Sequence, residues 1–247
     1  MDLGIIVDLE TTGLDPKTDR IIEIGILAFA VGDGAPPQIT GMYSGVEDPG
    51  QPLSAEVAAI TGLSDAVLAG RRIHWETVRE HFSTAVIAIA HNAAFDSAFL
   101  RGREELRPLT LPFACSMKHI DWEAKGFRTR ALNYLACDHG FINPFPHRAL
   151  FDCATTFRLV APHISELATR CYLRDVHVAA VGAPFDKKDL LRNHRYRWDN
   201  ERRVWHKQVL EDQLVQEREF LRSEIYTAMN DLHEETFILP GGSLDDA

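Results

Sequence analysis

Four acidic residues and one histidine carry the chemistry that can be read from this chain. Asp8 and Glu10 stand two positions apart in Gly4-Ile5-Ile6-Val7-Asp8-Leu9-Glu10, an apolar run that reads as a buried strand. A strand's period of two turns both carboxylates to the same face. Thr11-Thr12-Gly13 follows as a tight polar turn, in which Gly13 has no Cβ to keep a sugar or phosphate from the backbone amides. Asp96 comes after the apolar run Val86 to Ala90, in the first helical turns past a strand end. That edge is where open α/β sheets bind ligands. His147 and Asp152 lie five positions apart, the histidine in a loop and the aspartate about one turn into the helix that follows. Carboxylate oxygens are the ligands that hard divalent cations take, and four carboxylates suit two such ions. A histidine, with a reference pKa of about 6.5, suits proton transfer at neutral pH. Taken singly, each residue has a plainer reading: Asp8 and Glu10 could solvate a sheet end, and Asp96 could sit where a helix dipole favours it.

The elements that must position these groups follow from hydrophobic pattern and turn residues. Gly4 to Glu10 and Ile21 to Ala30 read as a hairpin joined through Gly13, Asp15 and Pro16. A third strand is expected within Ile39 to Val46, after the Gly/Pro-rich turn from Gly32 to Pro37. Ser54 and Ser64 each precede a short helical segment. Val86 to Ala90 and Phe113 to Cys115 are the fourth and fifth strands, with helices to about Arg101, over Arg130 to His139 and over Leu150 to Arg170. Three antiparallel strands followed by strands alternating with helices predict an α/β fold, a mixed five-stranded sheet flanked by helices.

Taken together, Asp8-Leu9-Glu10-Thr11-Thr12-Gly13, His91-Asn92-Ala93-Ala94-Phe95-Asp96 and His147-Arg148-Ala149-Leu150-Phe151-Asp152 resemble the three exonuclease motifs of the DEDDh superfamily. That superfamily includes the proofreading epsilon subunit of bacterial DNA polymerase III. The resemblance covers residues 3 to 168 and implies a ribonuclease H-like fold, two bound Mg²⁺ or Mn²⁺ ions and 3′-to-5′ exonuclease activity. It also implies roles: Asp8 bridging both ions, Glu10 and Asp152 holding the one that activates water, Asp96 supporting the other and His147 taking the proton. Two ions would clamp the attacking and leaving oxygens of an in-line displacement. Thr11, Thr12, Gly13 and Leu14 are expected around the terminal nucleotide, the turn amides at its 3′-OH and Leu14 wedged beside its base. Phe95 is expected to face the base or to join the core, and Ile60 and Thr61 resemble a family segment lying against the terminal base.

The rest of the chain bounds the answer. With 247 residues, 45% hydrophobic and 25% charged, it suits one large domain with an appendage or two small domains, and the resemblance makes residues 1–170 the exonuclease domain. No apolar stretch reaches membrane-spanning length and no export signal is legible, so a cytoplasmic protein without a membrane partner is expected. Cys115, Cys137, Cys153 and Cys171 are too scattered for a zinc site or a disulfide framework. The net charge of −10 argues against a broad phosphate-binding surface, yet residues 169–210 carry 10 Lys+Arg against 5 Asp+Glu. That basic stretch, with Tyr196, Trp198 and Trp205, is expected within a small ββα module over residues 178–232. There the tryptophans either form a tiny core or meet nucleic acid. A final helix over Glu211 to Asp231 and a disordered tail over 233–247 complete the reading. Single-stranded or frayed DNA 3′ ends are the expected substrate, with RNA as the alternative and a polymerase as a further partner. A non-catalytic binding subunit is the rival from another class.

Overall fold

A computed structural model describes residues 2–32, 34–226 and 238–239 of the chain. They fall into two compact units, Met1–Tyr172 and Leu173–Ala247.

The first unit is built on a five-stranded sheet. Strands β1 (Asp2–Thr11), β2 (Ile21–Val31) and β3 (Gln38–Val46) form the antiparallel meander, and β4 (Ile87–Ala90) and β5 (Phe113–Cys115) join parallel to β1, giving the order β3-β2-β1-β4-β5. Both faces of the central strands are covered, so β1 and β2 are almost continuously apolar. Ile5, Val7 and Leu9 enter one core cluster with Ile24, Ile26, Val78, Phe82 and Phe99, while Ile6 enters another with Leu27, Phe29, Cys153 and Leu159.

Between β3 and β4 run α1 (Ala55–Thr61), α2 (Asp65–Leu68) and α3 (Trp75–Thr84). Ser54 and Ser64 cap the first two, their hydroxyls accepting the N–H groups of Val57 and Val67. Helix α3 was not anticipated, although Trp75, Val78 and Phe82 recur at helical spacing and are all buried. After β4 come α4 (Ala93–Arg101), α5 (Ser116–His119) and α6 (Leu132–Asp138). The single helix expected over Leu150 to Arg170 is instead α7 (Ala149–Val160) and α8 (Ile164–Arg170), separated by a 3₁₀ turn at Ala161–His163. Pro162, with no N–H to give, lies in that turn.

The second unit is larger in sheet than the expected ββα module. Strand β6 (Asp175–Ala180), which begins before residue 178, pairs with β8 (Val204–Leu210). With β7 (Arg197–Asp199) and β9 (Ile238–Leu239) it makes a four-stranded sheet in the order β7-β8-β6-β9. Residues 238–239 of the expected disordered tail are therefore in a strand, and the rest of 233–247 lies outside the described residues. Helices α9 (Lys188–Asn193) and α10 (Leu214–Phe220) accompany the sheet, α10 running on into a π-helical turn at Leu221–Ile225. The expected end of that helix near Asp231 also lies outside the described residues. The core is Val178, Leu191, Tyr196, Val209, Leu221 and Ile225, with Trp205 partly buried against it. Trp198 is 45% exposed on β7, so the tiny-core reading holds for Trp205 only in part and fails for Trp198. Its anchor is Glu217, buried where the Tyr196 hydroxyl donates at 2.8 Å and Lys207 Nζ at 2.7 Å.

Candidate active site

Strand β1 carries Asp8 and Glu10 on the face that looks toward α7, and both are half-buried. Their partners on β2 are Gly25 and Glu23. Gly25 lets α7 lie directly on the sheet: a Cβ there would come within 2.4 Å of the Ala149 carbonyl carbon. The first turn of α7 consequently brings Asp152 onto the strand pair. Ligand oxygens of Asp8, Glu10 and Asp152 all lie within 4.8 Å of one another.

Asp96, in the first turn of α4, is outside that triple yet belongs to the same field. After burial, its charge is the largest influence raising Asp8. Its own carboxylate faces the backbone N–H of Leu9, which ties α4 to the same strand.

Burial and mutual repulsion hold the whole set above ordinary carboxylate values. Asp8 is raised well above its reference, by burial first and then by Asp96, Asp152 and Glu10. Glu10 is raised to about 8, by burial and then by Asp152 and Glu23. Burial lifts Asp96 to about 7 and Asp152 to about 6. Asp152 is lifted least because the His147 charge, the N–H groups of His147 and Arg148 and the Asn143 amide favour its ionised form. An all-oxygen donor set converging this closely, in which the lowering influence of Arg148 and His147 is outweighed by burial and mutual repulsion, fits hard divalent cations such as Mg²⁺ or Mn²⁺.

His147 sits just before α7 with a φ of 60°, left-handed backbone that few residue types other than glycine adopt readily. Behind it, Arg148 and the Ala149 N–H are engaged by Glu23, a carboxylate only 1% exposed. The sequence reading passed over Glu23, although it is the single acidic residue in the otherwise apolar stretch Ile21–Val31. It also passed over Asn143, whose amide donates to Asp152 at 2.7 Å. Nothing in the spacing of a loop asparagine signals that contact.

The residues expected around a terminal nucleotide are placed less uniformly. The Thr11 hydroxyl donates to the Gly13 carbonyl, and the Thr12 hydroxyl donates to Asp19 while accepting the Arg20 N–H. A Cβ at Gly13 would lie 2.5 Å from the carboxylate of this chain's own Asp19, so Asp19 packs directly on the turn. Leu14 is 83% exposed and Ile60 is exposed, whereas Thr61 is buried with its hydroxyl bound to Val57 O and Leu63 N–H. Phe95 is partly buried, 5.0 Å from Phe99 ring to ring, and packs on the core. Hydroxyls and rings already spent on local structure leave Leu14 and Ile60 as the exposed apolar side chains of this group.

Comparison with known proteins matches this site to a family. The RNase_T family model, described as "Exonuclease", matches residues 5–160, a span that contains all five of Asp8, Glu10, Asp96, His147 and Asp152. The chain belongs to this exonuclease family. It is 40% identical over 164 residues to a DNA polymerase III PolC-type of Thermotoga petrophila and 34% identical over 164 residues to that of Thermotoga maritima. Each alignment covers 62% of the chain and 11% of the relative, so the chain spans about a ninth of those polymerases' length. Among solved structures, exonuclease I is similar at a TM-score of 0.56 and 13% identity, over 72% of this chain and 48% of that one. A 3′-exonuclease that recognises a histone mRNA stem-loop is similar at 0.53 and 16%, over 67% and 82%. These likenesses show the ribonuclease H-like fold, and the family match places the chain among DEDDh-type exonucleases. No described helix is long and apolar enough to cross a membrane.

Proposed function

We propose that this protein is a metal-dependent 3′-to-5′ exonuclease that releases nucleoside monophosphates from single-stranded or frayed DNA 3′ ends, in repair or proofreading. The observation that carries the reading is the convergence of Asp8, Glu10 and Asp152 within 4.8 Å, with Asp96 acting on Asp8 from α4. A non-catalytic binding subunit would have no use for buried carboxylates held against their own repulsion. When bound there, two Mg²⁺ or Mn²⁺ ions would neutralise the carboxylates and polarise the scissile phosphate. Asp8, Glu10, Asp96 and Asp152 would hold them. His147, which stands just before α7 and acts on Asp152, accepts a proton from the attacking water. The Thr11–Leu14 turn and Ile60 line the terminal nucleotide, with exposed Leu14 beside its base.

The polymerase relatives favour DNA and suggest a polymerase as partner, whereas the ribose 2′-OH is discriminated by contacts that only substrates report. The test is digestion of 5′-labelled and 3′-labelled DNA and RNA of one sequence with Mg²⁺, Mn²⁺ or chelator. Metal-dependent shortening of 5′-labelled DNA by single nucleotides is expected. Internal cleavage, or loss of label from the 5′ end alone, overturns the polarity, and faster RNA digestion reassigns the substrate.

A further inference from the structure

Glu23 is the fifth carboxylate of this neighbourhood and the most deeply buried, yet it is not part of the group whose oxygens converge. Its oxygens are occupied on the other side. Arg148 Nε lies 3.2 Å from both of them, Arg148 Nη2 lies 3.0 Å from Oε1, and the Ala149 N–H reaches Oε2 at 3.3 Å. Arg148 follows His147 directly and precedes Asp152 by one helical turn. Glu23 faces Glu10 across the β1–β2 pair, and two residues along β2 Gly25 faces Asp8 and receives the Ala149 backbone. The start of α7 is thus fixed to β2 at two adjacent points, and opposite those points stand the two carboxylates of β1.

We infer that Glu23 and Arg148 are positioning residues for the exonuclease reaction: the pair holds the turn bearing His147 and Asp152 against the strand bearing Asp8 and Glu10. This rests on the reading of the site as an ion-dependent nuclease centre. A planar guanidinium bound at two nitrogens fixes orientation as well as distance, which a lone contact does not. The same pairing commits Glu23 to the helix start, so that a fifth anion does not join the ligand set. Residues that orient metal ligands without touching the metal typically matter about 10- to 100-fold in affinity or activity.

Arg148 has a rival employment. Its side chain is 41% exposed, and a partly exposed arginine beside a phosphate-cleaving centre could instead grip a substrate phosphate. The two roles separate in measurement. Metal-stripped wild type, Arg148→Ala, Arg148→Lys and Glu23→Gln are titrated with Mn²⁺ in a calorimeter without nucleic acid. Then kcat and KM are measured on a labelled oligonucleotide, with thermal melting alongside.

For Arg148→Ala, Mn²⁺ affinity and kcat are each expected to fall about 10- to 100-fold with KM changed less than about twofold. Glu23→Gln should follow in the same direction, and Arg148→Lys, which keeps the charge but not the fork, should fall between. Unchanged Mn²⁺ affinity in Arg148→Ala with a raised KM would assign Arg148 to substrate phosphate and overturn the inference. A Glu23→Gln loss of Mn²⁺ binding as complete as that of Asp8→Asn would make Glu23 a ligand and overturn it equally. If Arg148→Ala does not fold, wild-type Mn²⁺ affinity in Arg148→Lys overturns it. Because the Mn²⁺ titration needs no substrate, it decides the positioning role even if the wild type degrades no nucleic acid.

Discussion

The Asn143 amide donates to Asp152 Oδ1 at 2.7 Å while its own Oδ1 accepts the Phe145 N–H at 3.1 Å. One side chain thereby ties the loop that leads into His147 to a carboxylate of the cluster. Asn143→Ala is expected to cost about tenfold in kcat and in Mn²⁺ affinity, the low end for groups that orient metal ligands. Asn143→Asp should cost more, because it sets an anion against Asp152 where a donor stood. Kinetics and Mn²⁺ titration of the two variants check the order; equal activity in both would mean that the contact positions nothing.

Removing a ligand should separate activity from stability. Asp8→Asn and Asp152→Asn each delete one charge from a set whose members raise one another's pKa, so the metal-free fold should melt higher. Activity should fall about a thousandfold or more, since bound cations supply several kcal/mol of charge stabilisation. Melting curves in chelator and rates in Mg²⁺ test the pair of effects. A rate near wild type in either variant refutes the assignment of that carboxylate.

The same carboxylates give the metal-free protein an unusual pH dependence. Glu10 at about 8, Asp96 at about 7 and Asp152 at about 6 all lie above their unfolded values, so the native state binds more protons than the unfolded one. That stabilisation is complete below the unfolded values and is lost as pH rises through the native ones. Each such group gives a slope of about 1.4 kcal/mol per pH unit in its window. In chelator the melting temperature should therefore fall between about pH 5 and pH 8, and excess Mg²⁺ should remove most of the decline. A flat profile in chelator would contradict the raised values.

How much of this was legible beforehand depended on the range of the interaction. The strands and the carboxylate geometry of β1 follow from alternation and apolar runs, which are local, and Asp8 and Glu10 share a face for the same reason. The three motifs fixed which distant segments must meet. What stayed hidden rests on contacts between segments far apart in the chain. Glu23 and Arg148 are separated by 125 positions, and strand β6 has no hairpin turn to announce it, because its partner β8 lies beyond α9 and β7. At Thr12, Gly13 and Thr61 a small polar residue in a turn looks the same in the sequence whether it meets a ligand or its own neighbour. The structure supplies the neighbours: Asp19 lies beside Gly13 and accepts from the Thr12 hydroxyl, and the Thr61 hydroxyl joins Val57 to Leu63.

The proton acceptor is best tested with the backbone in mind. His147 has a φ of 60°, a region that asparagine also enters readily and alanine does not, so His147→Ala would mix lost chemistry with strain. His147→Asn keeps the backbone and removes the base. Turnover is expected to fall about 10²- to 10⁴-fold, the usual worth of general acid–base catalysis, with KM and Mn²⁺ affinity nearly unchanged. A His147→Ala variant should show the same rate loss together with a lower melting temperature, and the difference between the two measures the strain. If His147→Asn retained the wild-type rate, the proton would have to leave the attacking water by another route. The raised carboxylates, Glu10 first among them, would then be the groups to test.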